Sequence, residues 1–493
     1  MSNLHLIYPE MALSAMALAL LVADLFIAPR HGRFLYHLAW LAAIITLCLV
    51  GFSITDAARG QGVGTLWSVD PLSQFFKMLL LLVTVMSLVL SLEYRELPPN
   101  HAGTFASLLL LSSAGLLMLV SANDLLLLFI SLELVSISSF ILTGFERRNP
   151  KSNEGAIKYF LFGAFSSAVM AFGISLFYGA TGTTKLVGLS QSGGPVFILG
   201  VLFIFLGFAF KASLAPMHFW VPDAYEGAPT PVTTYLSLAP KIATLGALLR
   251  LFSVLLPAAM LDLTTLLVLI SGLTMTIGNF TAFFQDNLKR LLAYSSIAQA
   301  GYILIGIVSG NTLGMEGVLL YSFIYVAMNL GAFAVVQAVG DQGVPAAVPP
   351  QAGQAVGDQA AAPGIDSYSL EAYNGLARRS LGLSLAMTFF MLSLSGIPPM
   401  AGFFGKFYIF GGAVQSGHYG LAALGLINSV ASVYYYMRVV HRMFFAKSES
   451  SEPVSIGPYL TGAIAVAVAG VLIFGVYPEP LVASVQSSAQ YLP

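Results

Sequence analysis

Long apolar runs recur along the whole chain, and they decide what it can fold into. Windows of about 19 residues identify fourteen such segments, and only 9% of the residues are charged. A helix of about 20 residues crosses a bilayer, whereas a soluble domain carries roughly 25% charged residues. The sequence therefore predicts an all-α polytopic membrane protein with about 14 transmembrane helices. The segments are 4–28, 34–54, 72–94, 104–121, 124–144, 155–180, 195–222, 228–254, 257–284, 288–309, 315–339, 381–411, 418–446 and 458–477.

The basic residues between these segments predict the orientation of the chain. With the N-terminus outside, most of them fall in cytoplasmic turns, as the positive-inside rule requires, so we expect both termini on the outer face. The first apolar run lacks a basic leader, and we read it as a retained helix. The cytoplasmic cations are Arg30, Arg33, Arg95, Arg147, Arg148, Lys151, Lys289, Arg290, Arg378, Arg379, Arg438, Arg442 and Lys447, against Arg59, Lys185 and Arg250 outside.

Composition and motifs exclude several classes of function. The net charge of −1, with no basic run, argues against a nucleic-acid partner. Cys48 is the only cysteine, so the chain cannot form a disulfide, a CxxC zinc site or an iron–sulfur site by itself. GxxxxGK[ST], GxSxG and HExxH are absent, as is a GxGxxG after a strand. We expect no cofactor or metal in this chain.

Five lysines lie within the apolar segments, and no arginine does. Arginine stays charged in proteins, whereas a desolvated lysine can lose its proton, so this choice suits groups that exchange protons. The lysines are Lys77, Lys158, Lys211, Lys241 and Lys406.

The depth of each charge separates candidate functional residues from interfacial ones. Glu133, Lys211 and Lys241 are central in their segments, and two mid-helix lysines together cost on the order of 5–7 kcal/mol. We interpret them as functional, with a structural ion pair between helices as the alternative. Lys158 and Lys77 lie only a few residues from the starts of their helices. Position alone therefore predicts that their side chains snorkel to the membrane interface. The remaining polar residues have simple interpretations. His218 is either structural or protonatable, and Asp223 and Glu226 are expected to be solvated in a cytoplasmic turn. The positions of Lys289 and Arg290 are explained by the membrane topology alone.

Proline lies beside three of these lysines, in the runs KASLAP, LSLAPK and SGIPPMAGFFGK. A proline cannot donate to the carbonyl four residues before it, and in lipid a freed carbonyl is tolerated only against protein or water. We therefore predict an interrupted helix that borders water in each run, with a simple proline kink as the alternative for any one. The prolines and the carbonyls they free are Pro216 with Ala212, Pro240 with Leu236, Pro398 with Leu394, and Pro399 with Ser395.

One stretch breaks the apolar composition. Residues Gly340 to Gly364 are rich in Ala, Pro, Gly and Gln with few aromatic residues. Such a stretch cannot bury enough apolar surface to fold, and we predict a flexible cytoplasmic loop.

Three stretches carry a resemblance to a known family: FKASLAPMHFWVPDAYEGAPTPVTTYLSLAPK, QDNLKRLLAYSSIAQAGY and LSLSGIPPMAGFFGKF. They closely resemble the antiporter-like membrane subunits of respiratory complex I, the proton-pumping NADH:quinone oxidoreductase, and the resemblance runs over nearly the whole chain. It implies two five-helix repeats of inverted topology with discontinuous helices. The implied divisions are a three-helix segment 1–103, a first half 104–254, a second half 255–446 with a flexible loop 340–380, and a C-terminal helix and tail 447–493.

The resemblance also implies roles for individual residues. By motif, Glu133 resembles the carboxylate that pairs with Lys211, Lys241 the central relay lysine, and Lys406 the terminal lysine in the second broken helix. It implies a relay role on the cytoplasmic side for Lys158 and His218, and adds nothing for Lys77.

The function implied by the resemblance is proton translocation across the bacterial cell membrane, driven by NADH oxidation and quinone reduction in other subunits. Flavin, iron–sulfur clusters and quinone are then expected in partner subunits, and sister antiporter-like subunits are expected neighbours. A subunit of a multi-subunit cation/proton antiporter shares the Glu and Lys pattern and is the main alternative. A passive membrane scaffold, in which the charges only lock helices, is the second.

Overall fold

The chain forms a bundle of membrane-length helices. The computed structural model describes residues 4–27, 32–54, 61–63, 66–97, 101–186, 194–258, 262–341, 367–447 and 452–489. A 3₁₀ turn at Leu4–Ile7 precedes the first helix, and Leu370–Tyr373 forms another. The α-helices within these ranges are α1 Tyr8–Asp24, α2 Gly32–Phe52, α3 Pro71–Glu93, α4 Ala102–Ser121, α5 Leu125–Thr143, α6 Pro150–Thr181, α7 Pro195–Ala212, α8 Val221–Gly227, α9 Thr230–Ala258, α10 Asp262–Ala282, α11 Leu288–Ser309, α12 Thr312–Gly340, α13 Leu376–Arg379, α14 Leu381–Ser395, α15 Ala401–Gln415, α16 Tyr419–Phe445, α17 Pro458–Val476 and α18 Glu479–Ala489.

The number of membrane crossings agrees with the apolar pattern. Among the residues that the structure describes, thirteen helices are long and apolar enough to span a bilayer. The short helices α14 and α15 follow one another and together supply one further crossing. The prediction of an all-α polytopic fold with about 14 crossings is confirmed.

Polar side chains set the starts of several helices. Asp70 accepts from the backbone N–H of Ser73 at 2.8 Å and completes a capping box at the start of α3. The side chains of four further residues each accept one hydrogen bond from a backbone N–H at the start of a helix: Asp124 at α5, Asn149 at α6, Asn287 at α11 and Asn311 at α12. Such caps satisfy N–H groups that have no partner within the helix, which is costly to omit near a membrane.

Contacts between helix ends divide the bundle into two ends, which we name by their small elements. At the α8 end, α8 contacts α6 and α11, and Tyr94 after α3 donates to Glu146 after α5 at 2.8 Å. At the hairpin end, strands β1 Gln61–Val63 and β2 Trp67–Val69 pair antiparallel. There Arg250 of α9 binds both carboxylate oxygens of Asp70, at 2.7 and 2.9 Å.

Several local predictions are wrong. α9 runs unbroken from Thr230 to Ala258, so Pro240 does not interrupt it. The 11-residue helix α18 follows α17, where the sequence indicated only a tail. Residues 367–380, placed in a flexible loop, form short helices because Leu370, Tyr373 and Leu376 find buried positions. Arg30, Arg59 and loop residues 342–364 lie outside the described residues.

Candidate functional site

Two helices are broken at the positions that the proline-rich runs indicate. α7 ends at Ala212, and Ser213 takes a left-handed conformation with φ 64°. α14 ends at Ser395, and Gly396 is left-handed with φ 84°. In both places the chain resumes as a second helix after a short non-helical stretch, α8 in one case and α15 in the other. The interruptions predicted at Pro216 and Pro398 are confirmed.

Lys406 is held by the carbonyls of the second broken helix. Its Nζ donates to the carbonyl oxygens of Leu394 and Ser395, both at 3.0 Å, and to Ser429 Oγ at 2.9 Å. The amine also lies 4.7 Å from the centre of the Tyr302 ring. Leu394 and Ser395 carry the carbonyls that Pro398 and Pro399 leave free. The break therefore creates the polar site that the lysine occupies.

Lys241 lies in the continuous helix α9, and its amine is held by α11. Nζ donates to the carbonyl oxygen and the hydroxyl of Ser296, at 2.7 and 2.8 Å. The carbonyl of Leu236, which Pro240 cannot satisfy, accepts from the Tyr225 hydroxyl at 3.2 Å. Because a side chain replaces the missing donor, the helix passes through Pro240 without a break.

Hydrogen bonds link the surroundings of Lys241 to those of Lys406. Ser295, next to Ser296 on α11, shares a 2.5 Å hydrogen bond with the Tyr436 hydroxyl. Gln299 Nε2 donates to Tyr436 at 3.1 Å and to the Leu394 carbonyl at 3.2 Å. Leu394 is also a partner of Lys406, so a chain of buried polar groups spans the space between the two lysines.

Lys211 lies in the last turn of α7 and faces α5 and α6. Its Nζ donates to Ser136 Oγ and Tyr159 Oη, both at 3.0 Å. Glu133 lies one turn before Ser136, is half-buried, and accepts a hydrogen bond from Ser167. Glu133 and Lys211 line one cavity of about 10 Å³, a volume close to that of a single water. Among the described residues they face the same cavity without forming a direct ion pair within 4.0 Å.

Aromatic packing fixes the broken end of α7. The Trp220 ring stacks on Tyr159 with centroids 4.0 Å apart. Its Nε1 donates to the Phe210 carbonyl at 3.1 Å. The chain after the break therefore folds back onto the helix that carries one of the Lys211 partners.

Lys158 lies apart from these buried lysines, in a cluster of charges at the α8 end. Its side chain is 39% exposed, and Nζ pairs with Glu154 at 2.6 Å and with Asp223 at 2.7 Å. Arg290 also binds Asp223, at 2.6 Å. Burial by itself raises the pKa of Asp223, but the hydrogen bonds from Lys158 and Arg290 outweigh it and hold that pKa below its usual value. The cluster ties α8 to α6 and α11, so the prediction that Asp223 is merely solvated is wrong. The same holds for Glu226, which pairs with Arg290 and Lys151.

His218 is buried in the segment between α7 and α8. It stacks on Phe219, and its Nδ1 has no hydrogen-bond partner among the described residues. Within those residues no hydrogen bond joins it to Lys158 or Lys211. The contacts of His218 therefore connect it to neither lysine.

Lys77 is not an interfacial lysine, so this prediction is wrong. Its side chain is fully buried, and Nζ lies 2.6 Å from Oε1 of Glu10, which is 4% exposed. Glu10 is in the first turn of α1, where no local pattern marks it as the partner of a buried lysine. Lys289 is also buried rather than a simple topology signal, since its Nζ donates to the Ala228 carbonyl at 2.6 Å.

Apart from Lys289, the buried lysines fall into two groups. Lys77 faces a carboxylate, whereas Lys211, Lys241 and Lys406 donate to neutral oxygens, with no carboxylate within 4.0 Å in the described part of the chain. The same part holds no group of three or more His, Cys, Asp or Glu side chains arranged for a metal ion. What the arrangement offers is a row of amines in contact with hydroxyls and backbone oxygens.

Comparison with known proteins identifies the class. Residues 122–432 match the model of the family described as NADH:quinone oxidoreductase/Mrp antiporter, TM. This range contains both broken helices and every lysine of the neutral group. The chain therefore belongs to this family of membrane subunits.

Within the family, the run YEGAPTPV predicts a member of the subunit N type, and full-length relatives confirm it. The chain is 40% identical to NADH-quinone oxidoreductase subunit N of Trichlorobacter lovleyi over 99% of this chain and 98% of the relative. It is 36% identical to F(420)H(2) dehydrogenase subunit N of Methanosarcina mazei, over 100% and 99% of the two chains.

Solved structures agree in fold. A chain of respiratory complex I from Thermus thermophilus matches with 31% identity and a TM-score of 0.81, over 97% of this chain and all of the other. A chain of the Mrp complex from Dietzia sp. also matches with a TM-score of 0.81, over 98% and 97% of the two chains. Its identity is 18%, so it shows the fold alone.

Proposed function

We propose that this chain is a proton-translocating membrane subunit of respiratory complex I. As such it is part of a translocase enzyme that couples NADH oxidation and quinone reduction to proton movement. Flavin, iron–sulfur clusters and quinone belong to partner subunits, and the neighbours of this chain in the membrane include sister antiporter-like subunits. The full-length likeness to proteins named NADH-quinone oxidoreductase subunit N supports this assignment.

The observation that carries the proposal is the set of partners around Lys406. A buried amine beside two backbone carbonyls and a hydroxyl has acceptors that do not depend on protonation. Lys406 can therefore take up or release a proton without leaving a buried carboxylate uncompensated, because its partners are neutral oxygens. The polar chain through Gln299 and Tyr436 gives it a neighbour from which a proton can arrive.

The proposed path passes from the α8 end to Lys211 and Lys241, and then to Lys406. Glu133 acts on Lys211 across the cavity that they share, and Lys158 and His218 lie on the uptake side. Removal from water disfavours the charged form of a lysine, and a nearby carboxylate favours it. Opening and closing the Glu133–Lys211 pair would then switch Lys211 between holding and releasing its proton.

The energies are compatible with this role. Moving one proton against about 150 mV requires roughly 3.5 kcal/mol. Burial together with the loss of one ion pair changes the proton affinity of a lysine by amounts of this size.

We place the chain in the bacterial cell membrane with the α8 end in the cytoplasm and both termini on the outer face. The support is the distribution of cations, since Arg95, Arg290 and Arg438 lie at the α8 end and Arg250 at the hairpin end. Positive residues concentrate on the cytoplasmic side of membrane proteins.

The test replaces Lys406 in the intact complex by methionine and, separately, by arginine. In inside-out membrane vesicles we expect both variants to lower the number of protons pumped per NADH oxidised, because arginine keeps the charge but does not release a proton. Lys447→Met, at an exposed position, is the matched control and should keep the wild-type ratio. An unchanged ratio in Lys406→Met would show that this residue is not in the path.

The same vesicles separate the alternatives. A cation/proton antiporter would exchange sodium for protons without NADH. If the chain is only a scaffold, the complex keeps its ratio of protons pumped per NADH when Glu133 and Lys211 are replaced together by apolar residues. The reason is that a buried ion pair can often be exchanged for apolar residues without loss of stability.

A further inference from the structure

A second set of buried polar residues runs along α12 and is not used by the path described above. Tyr325, Asn329, Gln337 and Asp341 are separated by multiples of four residues, so they follow one inclined ridge on the helix surface. The first three are fully buried, and Asp341 is 7% exposed. The ridge begins beside α11 and ends at the α8 end of the bundle.

The inner end of this ridge reaches the surroundings of Lys241. The Tyr325 hydroxyl lies beside that of Ser296, outside hydrogen-bonding geometry, and Ser296 binds the Lys241 amine. Asn329 Nδ2 donates to Ser237 Oγ at 2.7 Å. Ser237 precedes Lys241 by four residues on α9, so the two side chains share a face one turn apart.

The middle of the ridge contacts α3. Gln337 Nε2 donates to the Leu90 carbonyl at 2.9 Å, in the last turn of α3. Ser87 lies one turn before Leu90, and its hydroxyl is buried. Polar groups of α3 and α12 therefore lie close to each other across this interface.

The outer end of the ridge is Asp341, the residue after α12. Burial and the negative charge of Glu96 raise its pKa to about 7, although Arg95 acts in the opposite direction. Glu93 adds to the rise, and Gln337 lowers it. A carboxyl with such a pKa exchanges its proton near neutral pH.

Three oxygen atoms along this interface are buried without a hydrogen-bond partner among the described residues: Asn329 Oδ1, Gln337 Oε1 and Ser87 Oγ. Each unsatisfied buried polar atom costs about 1–3 kcal/mol, and buried water is the usual means of satisfying such groups. Three such atoms along one interface point to water as the ligand.

We propose that the interface of α3, α9 and α12 holds a water-filled proton-uptake path that leads from Asp341 past Gln337 and Asn329 to Lys241, without passing Lys211. The inference rests on the proposed function, because Lys241 must be a relay residue for the path to matter. A proton taken up by the Asp341 carboxyl moves along hydrogen-bonded water to the neutral Lys241 amine, and the carboxylate is then reprotonated from the α8 end.

The length of the path is suitable for a short water chain. Gln337 and Asn329 are eight residues apart, about 12 Å along the helix, which about three or four waters span at hydrogen-bond spacing. On α9, Ser237 Oγ donates to the Thr234 carbonyl at 2.8 Å, and the Thr234 hydroxyl donates to the Thr230 carbonyl at 2.9 Å. These hydroxyls provide further polar surface from Asn329 toward the α8 end.

The test measures protons pumped per NADH in vesicles that contain the intact complex. Gln337→Leu, Asn329→Leu and Asp341→Asn should each lower the ratio below the wild-type value but not below that of Lys241→Ala, because the path through Lys211 still reaches Lys241. Gln337→Asn, which keeps a polar group, should keep more of the wild-type ratio. Ser322→Ala is the matched control on α12, since its hydroxyl is already satisfied by the Val318 carbonyl at 2.6 Å. NADH oxidation with an artificial acceptor and recovery of the purified complex establish assembly for every variant.

The outcomes separate the inference from the proposed function. A normal ratio in Lys241→Ala would overturn the proposed function itself. A low ratio in Lys241→Ala with normal ratios in assembled Gln337→Leu, Asn329→Leu and Asp341→Asn would overturn only the second path. If one leucine variant does not assemble, the other two variants decide, because the three changes interrupt the path at different points.

Discussion

The buried pair of Glu10 and Lys77 allows a structural lysine to be distinguished from a relay lysine. The two charged atoms lie 2.6 Å apart, with side chains 4% and 0% exposed. Replacing Lys77 alone by methionine leaves a buried carboxylate without its partner, and breaking such a pair costs about 3–5 kcal/mol. Replacing both, as Glu10→Leu with Lys77→Met, removes the desolvation cost of both charges, so we expect stability within about 1 kcal/mol of the wild type or above it.

The assay follows this chain during heating of the detergent-solubilised complex, by immunoblot of the soluble fraction. We expect Lys77→Met to aggregate at a clearly lower temperature and the double variant near the wild-type temperature. Proton pumping per NADH should be normal in the double variant, since the pair only joins α1 to α3. The reasoning is refuted if the single variant is as stable as the wild type, or if the stable double variant pumps less.

Two further predictions follow from individual contacts. The pKa of Asp341 is raised from 3.8 to about 7, so its contribution to stability is fully present below about pH 3.8 and is lost as pH rises through 7. Asp341→Asn should therefore gain more heat stability over the wild type at pH 8 than at pH 5, which lies early in this window, and equal gains at both pH values would contradict this. Tyr225→Phe removes the donor to the buried Leu236 carbonyl and should cost about 1–3 kcal/mol. In the same heating assay, a wild-type aggregation temperature would show that another group satisfies this carbonyl.

The crossings and two of the three predicted helix interruptions are correct because both depend on local chemistry. Apolar length determines where a helix can span a membrane, and Pro398 and Pro399 free two named carbonyls whatever surrounds them. Even the position of Lys406 follows in part, since a freed carbonyl in lipid needs a donor and Lys406 is the one charged donor in the run SGIPPMAGFFGK.

The sequence fails where a distant residue changes the outcome. Pro240 frees a carbonyl just as Pro398 does, yet α9 continues because Tyr225 supplies a hydroxyl from another helix. Lys77 has the position of an interfacial lysine, and only the fold brings Glu10, 67 positions earlier in the sequence, to its amine. Neither partner is marked by any local pattern, so sequence reasoning has no signal with which to find it.

Partner chemistry gives a criterion that position in the sequence lacks. A buried lysine paired with a carboxylate gains its stability from being charged, and loss of its proton would leave the carboxylate uncompensated. A lysine that donates to hydroxyls and carbonyls keeps acceptors that stay neutral whether or not it is protonated, so its surroundings tolerate both states. By this criterion we expect Lys77 to remain in one protonation state, and Lys241 and Lys406 to be able to cycle between two. Lys211 lies between these cases, because its direct partners Ser136 and Tyr159 are neutral while Glu133 faces it across a cavity the size of one water. Of the four, Lys211 is therefore the lysine whose proton a small movement of a carboxylate can control.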